Sequence, residues 1–248
     1  MYKKRNLSQN FLFSRTLVKS LVRSSSIGKN DLVLEIGPGS GIILEELTKQ
    51  AGHVIGIEID FELYQNLKNK YSNRKNLTLY LGDALSFPVP REKYKVFSNI
   101  PFAIEGEVIR KFLNEVNPPV DCLLVVRRDL AERLCQKNTL FNIANRPFFE
   151  FSIFHYFNKH DFSPSPKVEA VMFRFKKRIE PQIPFEERKK YHMFVKEGFG
   201  NGQAVYQNLK KRYGFRLKIA FKRLNISKDT KPSFIPFELW LELYKFLR

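Results

Sequence analysis

Cysteine is scarce in this sequence: Cys122 and Cys135 are the only two, and neither begins a C-x-x-C pair. That usage argues against a disulfide framework and suits a reducing, cytoplasmic setting. Long apolar runs are also missing. None approaches the roughly 18 residues of a membrane span, and the N-terminal stretch has no signal-peptide pattern. The histidines, His53, His155, His160 and His192, show no metal-ligand spacing, so no metal is assigned. No internal repeat or low-complexity tract is present.

The clearest shortage is of negative charge. Asp and Glu total 25 against 43 Lys and Arg, a formal net charge of +18. Residues 1–30 contain Lys3, Lys4, Arg5, Arg15, Lys19, Arg23 and Lys29 but no acid, and read as a basic arm. Towards the C-terminus, Lys210, Lys211, Arg212, Arg216, Lys218, Lys222, Arg223, Lys228 and Lys231 stand against a single acid, Asp229. Such an excess points to a polyanionic partner, with nucleic acid ahead of an anionic membrane surface. The chain is nevertheless that of a folded protein, with 43% hydrophobic residues and 24 Phe. Its 248 residues suffice for one sizeable core plus a small appended domain.

From Asp31 the pattern alternates between strand and helix. Strands are expected at 32–36, 53–58, 77–81, 94–98 and 120–126, with helices at about 42–50, 61–71, 104–115 and 128–136. Two later apolar runs, 151–157 and 168–175, suit an antiparallel hairpin at a sheet edge. This is the signature of an α/β fold with a mostly parallel, doubly wound sheet. After Arg178 the breaker-rich Glu180-Pro181-Gln182-Ile183-Pro184 introduces a purely helical region, with helices at about 185–198, 204–213, 216–224 and from Pro236 onward. The expected division is therefore a basic arm over 1–30, a sheet domain over 31–178 and a helical domain over 179–248.

Gly37-Pro38-Gly39-Ser40-Gly41 follows the first strand of the alternating region and opens a helix. Glycines there make a sharp turn and let backbone approach a ligand closely. The spacing is G-x-G-x-G, which differs from the dinucleotide fingerprint, and no Walker-type lysine follows, which disfavours a triphosphate. Glu58 ends the second of these strands, where a carboxylate can receive both ribose hydroxyls; it also suits an exposed strand-end acid. Asp83 ends the third strand. It suits either an acceptor for an adenine amino group or a helix N-cap before Ala84. Together these features have the layout of an S-adenosylmethionine site.

Ser98-Asn99-Ile100-Pro101-Phe102 closes the fourth of these strands, at the carboxyl edge where ligands of open α/β sheets bind. The amine of adenine is a weak nucleophile because its lone pair is delocalised into the ring. Two fixed acceptors, the Asn99 side-chain oxygen and the Ile100 carbonyl, would take its N–H groups and favour a tetrahedral nitrogen. Pro101 stiffens the turn and removes a donor. Phe102 offers a ring for an extruded base, worth about 1–3 kcal/mol in nucleic-acid binders. An ordinary strand-to-helix turn is the competing reading.

These residues resemble the ribosomal RNA adenine-N6 dimethyltransferases, which comprise the erythromycin-resistance (Erm) and KsgA-type enzymes. The resemblance covers residues 6–178 and rests on Ser8-Gln9-Asn10-Phe11-Leu12, Glu35-Ile36-Gly37-Pro38-Gly39-Ser40-Gly41, Glu58-Ile59-Asp60, Gly82-Asp83-Ala84, Ser98 to Phe102, and Phe162-Ser163-Pro164-Ser165-Pro166-Lys167-Val168. It implies a Rossmann-like class I methyltransferase fold with a seven-stranded sheet and S-adenosylmethionine as cofactor. Gln9, Asn10 and Leu12 would border its methionine end, Gly37, Gly39 and Gly41 would lie under it, and Glu58 with Ile59 and Asp83 with Ala84 would hold ribose and adenine. Asn99, Ile100 and Pro101 would serve catalysis and Phe102 would stack the target base. Phe162 would close its other face or shape the rim, and Lys167, Lys210, Lys211 and Arg212 would meet RNA phosphates.

The motif Asn-Ile-Pro-Phe suits the Erm branch, whose substrate is the large-subunit (23S) RNA. The stretch Phe199-Gly200-Asn201-Gly202-Gln203 also lacks the Phe-x-x-Arg-Arg-Lys element common in the small-subunit enzymes. Ala170, where Ser is common, and the glycine-rich 198–202 depart from the family pattern. The expectation is a monomeric, cytoplasmic methyltransferase of 23S RNA conferring macrolide–lincosamide–streptogramin resistance. A small-subunit (16S) enzyme and a non-catalytic nucleic-acid-binding relative are the alternatives.

Overall fold

The computed structural model describes residues 10–248. Strand β1 (Phe11–Leu12) is followed by helix α1 (Arg15–Ser24), whose first turn is capped by the Ser14 side chain accepting from Leu17 N–H at 3.3 Å. Val18, Leu21 and Val22, spaced along one helical face, are buried. From Ser14 onward the expected basic arm is thus a docked helix with its cations on the outer face. Sequence reasoning weighed the charges of this stretch and passed over its apolar stripe.

The alternating region then runs β2 (Leu32–Ile36), α2 (Ile42–Gln50), β3 (His53–Glu58), α3 (Phe61–Lys70), β4 (Leu77–Leu81) and β5 (Tyr94–Asn99). Next come α4 (Glu105–Asn114), β6 (Asp121–Arg127) and α5 (Arg128–Cys135). After α6 (Leu140–Asn145) come β7 (Phe149–Tyr156), β8 (Phe162–Ser163) and β9 (Ala170–Lys177). A seven-stranded sheet has the order β4-β3-β2-β5-β6-β9-β7. Its first five strands are mutually parallel, and β9 joins β6 antiparallel. The fold is the Rossmann-like one expected. β2 reads Leu-Val-Leu-Glu-Ile because a central parallel strand is covered on both faces. The topology reverses between β2 and its two neighbours, β3 and β5, which opens the crevice where such sheets bind ligands. The last two strands begin and end close to, but not at, the expected limits. Phe149 and Lys177 lie inside the strands, and Val168 outside.

The chain divides into two compact units, Met1–Glu132 with Ser152–Lys177, and Arg133–Phe151 with Arg178–Arg248. The sequence-based boundary near 178 therefore misses one element: the segment containing α6 groups with the C-terminal helices. In that second unit, α7 (Arg188–Phe199), α8 (Val205–Arg223) and α9 (Phe237–Leu247) surround an aromatic core. Tyr191 donates its hydroxyl to the Ile143 carbonyl of α6 at 3.1 Å and meets Tyr244 edge-on at 5.0 Å. Trp240 is fully buried and stacks on Phe199 at 5.5 Å. The two helices expected around Gly214 form one stretch, broken at that glycine by φ 48° and ψ −125°.

Candidate active site

Three strand ends lie side by side at the carboxyl edge. The Gly37 N–H donates to the Ile57 carbonyl, and the Gly82 N–H to the Glu58 carbonyl, each at 2.8 Å. The glycine turn closes with Gly41 N–H on the Pro38 carbonyl at 2.8 Å. Gly37, Gly39 and Gly41 all have positive φ, at 60°, 56° and 80°. At Gly39 the need for glycine is steric as well: a Cβ would meet the Phe11 ring at 2.5 Å. Gly37 and Gly82, by contrast, border open space with nothing within 4 Å of a built Cβ. Backbone shaped in this way forms a cradle for a flat or extended ligand.

Glu58 lies inside that cradle, only 1% exposed. Its carboxylate accepts from the N–H groups of Gly39 and Asp60, both at 3.0 Å. It is therefore not the exposed strand-end acid that was the alternative reading. Two of its roughly four acceptor sites are taken, which leaves capacity for hydroxyl donors. Ile59 beside it is 47% exposed, an apolar surface at the rim. Asp83 is exposed and no helix follows it; one carboxylate oxygen accepts from Leu85 N–H at 2.8 Å across a turn, which leaves the other oxygen for a ligand. Ala84 is buried behind it.

Glu35 was quoted in the glycine motif but given no role by sequence reasoning. It is 1% exposed and its Oε2 has no partner among the described residues. Burial, reinforced by the nearby charge of Glu58, holds its carboxyl well above the ordinary range. A buried carboxyl with one oxygen unpartnered, two residues before Gly37, fits a ligand that brings hydrogen-bonding groups to this strand end. The signal was visible as a lone acid in an otherwise apolar strand.

The second half of the site is built by β5. Ser98, fully buried, accepts from Ile36 N–H at 3.2 Å and donates to the Ile36 carbonyl at 2.5 Å, bolting the end of β5 to the end of β2. Asn99 follows. Its Nδ2 donates to the main-chain carbonyl of Asn10 at 2.8 Å. A carbonyl partner can only accept, so it fixes the amide orientation and leaves Oδ1 as the acceptor of this side chain. Ile100 is buried, and the turn closes through Ile104 N–H on the Pro101 carbonyl at 3.0 Å, one residue past the Ile100 carbonyl. Phe102 is half-buried, with one side packed on the core.

Asn10 and Leu12 reach this corner through a two-stranded ladder, Phe11 opposite Ser163 and Leu12 opposite Phe162. Leu12 is 2% exposed; Gln9 lies outside the described residues. The same ladder bears on Phe162, expected either to close the other face of the base or to shape the rim. That ring is 2% exposed and packs edge-on against Phe157 at 5.3 Å, so it supports β1 from within the core and presents no open face to a base. Lys167, Lys210 and Lys211 are exposed. Arg212 is also exposed but is paired with Glu197 at 3.0 Å, which reduces the charge it offers. No group of three or more potential metal ligands occurs among the described residues. None of the described helices is long and apolar enough to cross a membrane.

A family model described as "Ribosomal RNA adenine dimethylase" matches residues 1–248. Ribosomal RNA small subunit methyltransferase A of Caldanaerobacter subterraneus subsp. tengcongensis is 29% identical over 247 residues, covering 90% of this chain and 88% of the relative. An rRNA adenine N-6-methyltransferase of Limosilactobacillus reuteri is 33% identical over 189 residues, covering 76% of this chain and 77% of the relative. Among solved structures, that of the 23S rRNA methyltransferase ErmE superposes with a TM-score of 0.82 at 24% identity, covering 96% of this chain and 99% of the other, a likeness of fold. The chain belongs to the ribosomal RNA adenine dimethylase family and is a methyltransferase.

Proposed function

We propose that this protein methylates N6 of an adenine in ribosomal RNA, using S-adenosylmethionine bound in the glycine cradle. The observation that carries the reading is the anchored amide of Asn99. With Nδ2 held by the Asn10 carbonyl, Oδ1 is preorganised to accept an N–H of the target amine, and the Ile100 carbonyl accepts the other. Phe102 stacks the extruded base, whose removal from a helix costs a few kcal/mol. Glu58 receives the ribose hydroxyls of the cofactor, Asp83 its adenine amine, Ile59 and Ala84 flank that ring, and Asn10 and Leu12 border the methionine end. Bound S-adenosylmethionine supplies a methyl group already activated by its sulfonium. The bound sulfonium would give its methyl to the amine nitrogen and leave as a neutral thioether with the bonding electrons, while Asn99 Oδ1 and the Ile100 carbonyl orient that nitrogen and its proton passes to water. No metal and no strong base are required.

Dimethylation requires a second round on a nitrogen with one remaining N–H, so one acceptor must release its hydrogen bond and tolerate a methyl. Lys167, Lys210 and Lys211 supply phosphate contacts, and binding weakens steeply with salt.

For the RNA, we favour the large-subunit molecule at its macrolide-binding region, with macrolide–lincosamide–streptogramin resistance as the consequence. Asn99-Ile100-Pro101-Phe102 and the absence of a basic element at 199–203 support this. A small-subunit substrate is the second reading, favoured by the Caldanaerobacter relative, which matches nearly the whole chain. Labelled methyl transfer to separated, unmodified large- and small-subunit RNAs, with primer extension to map the site, decides between them. Label at one large-subunit adenine is the expected result; label confined to the small-subunit RNA would replace it with the second reading.

A further inference from the structure

Outside the residues already assigned, one charged pair stands on the rim of the catalytic corner. Glu105 opens α4, three residues after Phe102, and its side chain is 3% exposed. Glu105 Oε1 accepts from Arg127 Nε at 2.6 Å, and Oε2 accepts from the Arg127 main-chain N–H at 2.9 Å. One buried carboxylate thus grips both the backbone and the side chain of the last residue of β6. The register sets Asn99 beside Val125, so Arg127 lies two residues farther out, about 6.6 Å along the strand. That is the direction in which ligands sit beyond the sheet edge. The Arg127 side chain stays 39% exposed, and among the described residues the acid nearest its terminal nitrogens besides Glu105 is Asp129, at 4.0 Å.

We propose that Arg127, braced by Glu105, binds a backbone phosphate of the RNA next to the flipped target adenosine. The inference rests on the proposed base-stacking at Phe102. An adenine held against that ring with its amine at Asn99 must lead its sugar and phosphates out over the rim. A guanidinium suits that position because its planar fork matches two phosphate oxygens and is weakly hydrated. The brace removes much of the side-chain entropy that an exposed arginine would otherwise lose on binding. It also makes the phosphate contact and the stacking ring parts of one rigid turn, so backbone capture and base placement share a single register.

A purely structural Arg127 would exist only to neutralise the buried Glu105. The test separates the two roles. Arg127→Gln retains a donor for the carboxylate and removes the cation. Should that variant unfold, Glu105→Gln with Arg127→Gln replaces the ion pair by a neutral amide pair and still lacks the charge. Binding of a transcribed large-subunit RNA fragment is measured across a salt series, with KM for RNA and affinity for S-adenosylmethionine alongside. The expected result is a salt slope smaller by about one and a KM for RNA raised about tenfold, with cofactor affinity unchanged. A folded variant with wild-type slope and wild-type KM for RNA overturns the inference. The binding measurement needs no turnover, so it stands even if wild-type protein labels neither subunit RNA, the result that would overturn the methylation reading itself.

Discussion

Replacing Asn99 by alanine removes two interactions of different kinds, and their separate magnitudes make the experiment decisive. The first is the acceptor Oδ1, proposed to receive an N–H of the target amine and left available by the 2.8 Å bond from Nδ2 to the Asn10 carbonyl. A preorganised dipole of this kind is worth about 2.7–4 kcal/mol in the transition state, a loss of about 10²- to 10³-fold in kcat. The second is the Nδ2 bond itself, which ties the segment around Asn10 and Leu12 to β5. A net contribution of about 1 kcal/mol corresponds to roughly fivefold weaker cofactor binding. Asn99→Ala is therefore expected to lose catalysis far more than cofactor affinity. Asn99→Asp provides the complement. It keeps an acceptor but sets a carboxylate oxygen against a carbonyl, so cofactor affinity falls at least as much as in the alanine variant while kcat falls less. The assays are single-turnover methyl transfer and calorimetric titration with S-adenosylmethionine. An alanine variant whose kcat stays within about tenfold of wild type would refute the assigned role of Asn99.

Two further perturbations follow from other parts of the structure. Gly39→Ala forces a side chain into positive φ and against the Phe11 ring, and is expected to cost about 1–3 kcal/mol in denaturant-measured stability together with cofactor binding; full retention of both would mean that the turn is not the rigid cradle described. In the helical unit, burial against Phe148 and the charge of Arg188 bring His192 down to about 4 from 6.5. Because the folded value lies below the unfolded one, this stabilisation is complete above pH 6.5 and is lost as pH falls through 4, an effect of up to about 3 kcal/mol. His192→Gln should flatten that acid limb in urea titrations at successive pH values, and parallel curves for the two proteins would contradict it.

Much of the architecture was legible because it depends on local chemistry. The alternating apolar runs and amphipathic helices from Asp31 to Cys135 obey periodicities that need no tertiary knowledge, and the glycine turn identifies itself through residues that alone tolerate its dihedrals. Glu58 and Asp83 were identifiable as strand-end acids, since a parallel sheet delivers successive carboxyl ends to one edge. The misses share a different cause. Helix α1 was hidden because charge was weighed before spacing, although Val18, Leu21 and Val22 carried the pattern. The segment 133–151 was assigned to the sheet domain because it precedes the breaker-rich linker, and chain order does not reveal which core a short helix joins.

What the sequence by itself determined is the family and the fold class, with the residue types of a candidate site, because these are written in short contiguous motifs. Only the tertiary structure decided how those motifs act on one another. The carbonyl of Asn10 orients the amide of Asn99 across 89 positions of chain. Phe162 became a buried support for Leu12, although its motif reads equally well as a pocket rim. Glu105, at the start of α4, and Arg127, at the end of β6, met beside Phe102 because β5, which leads into that turn, pairs with β6. In each case the controlling interaction is a hydrogen bond or packing contact between distant segments, whose energy depends on geometry that residue order alone does not encode.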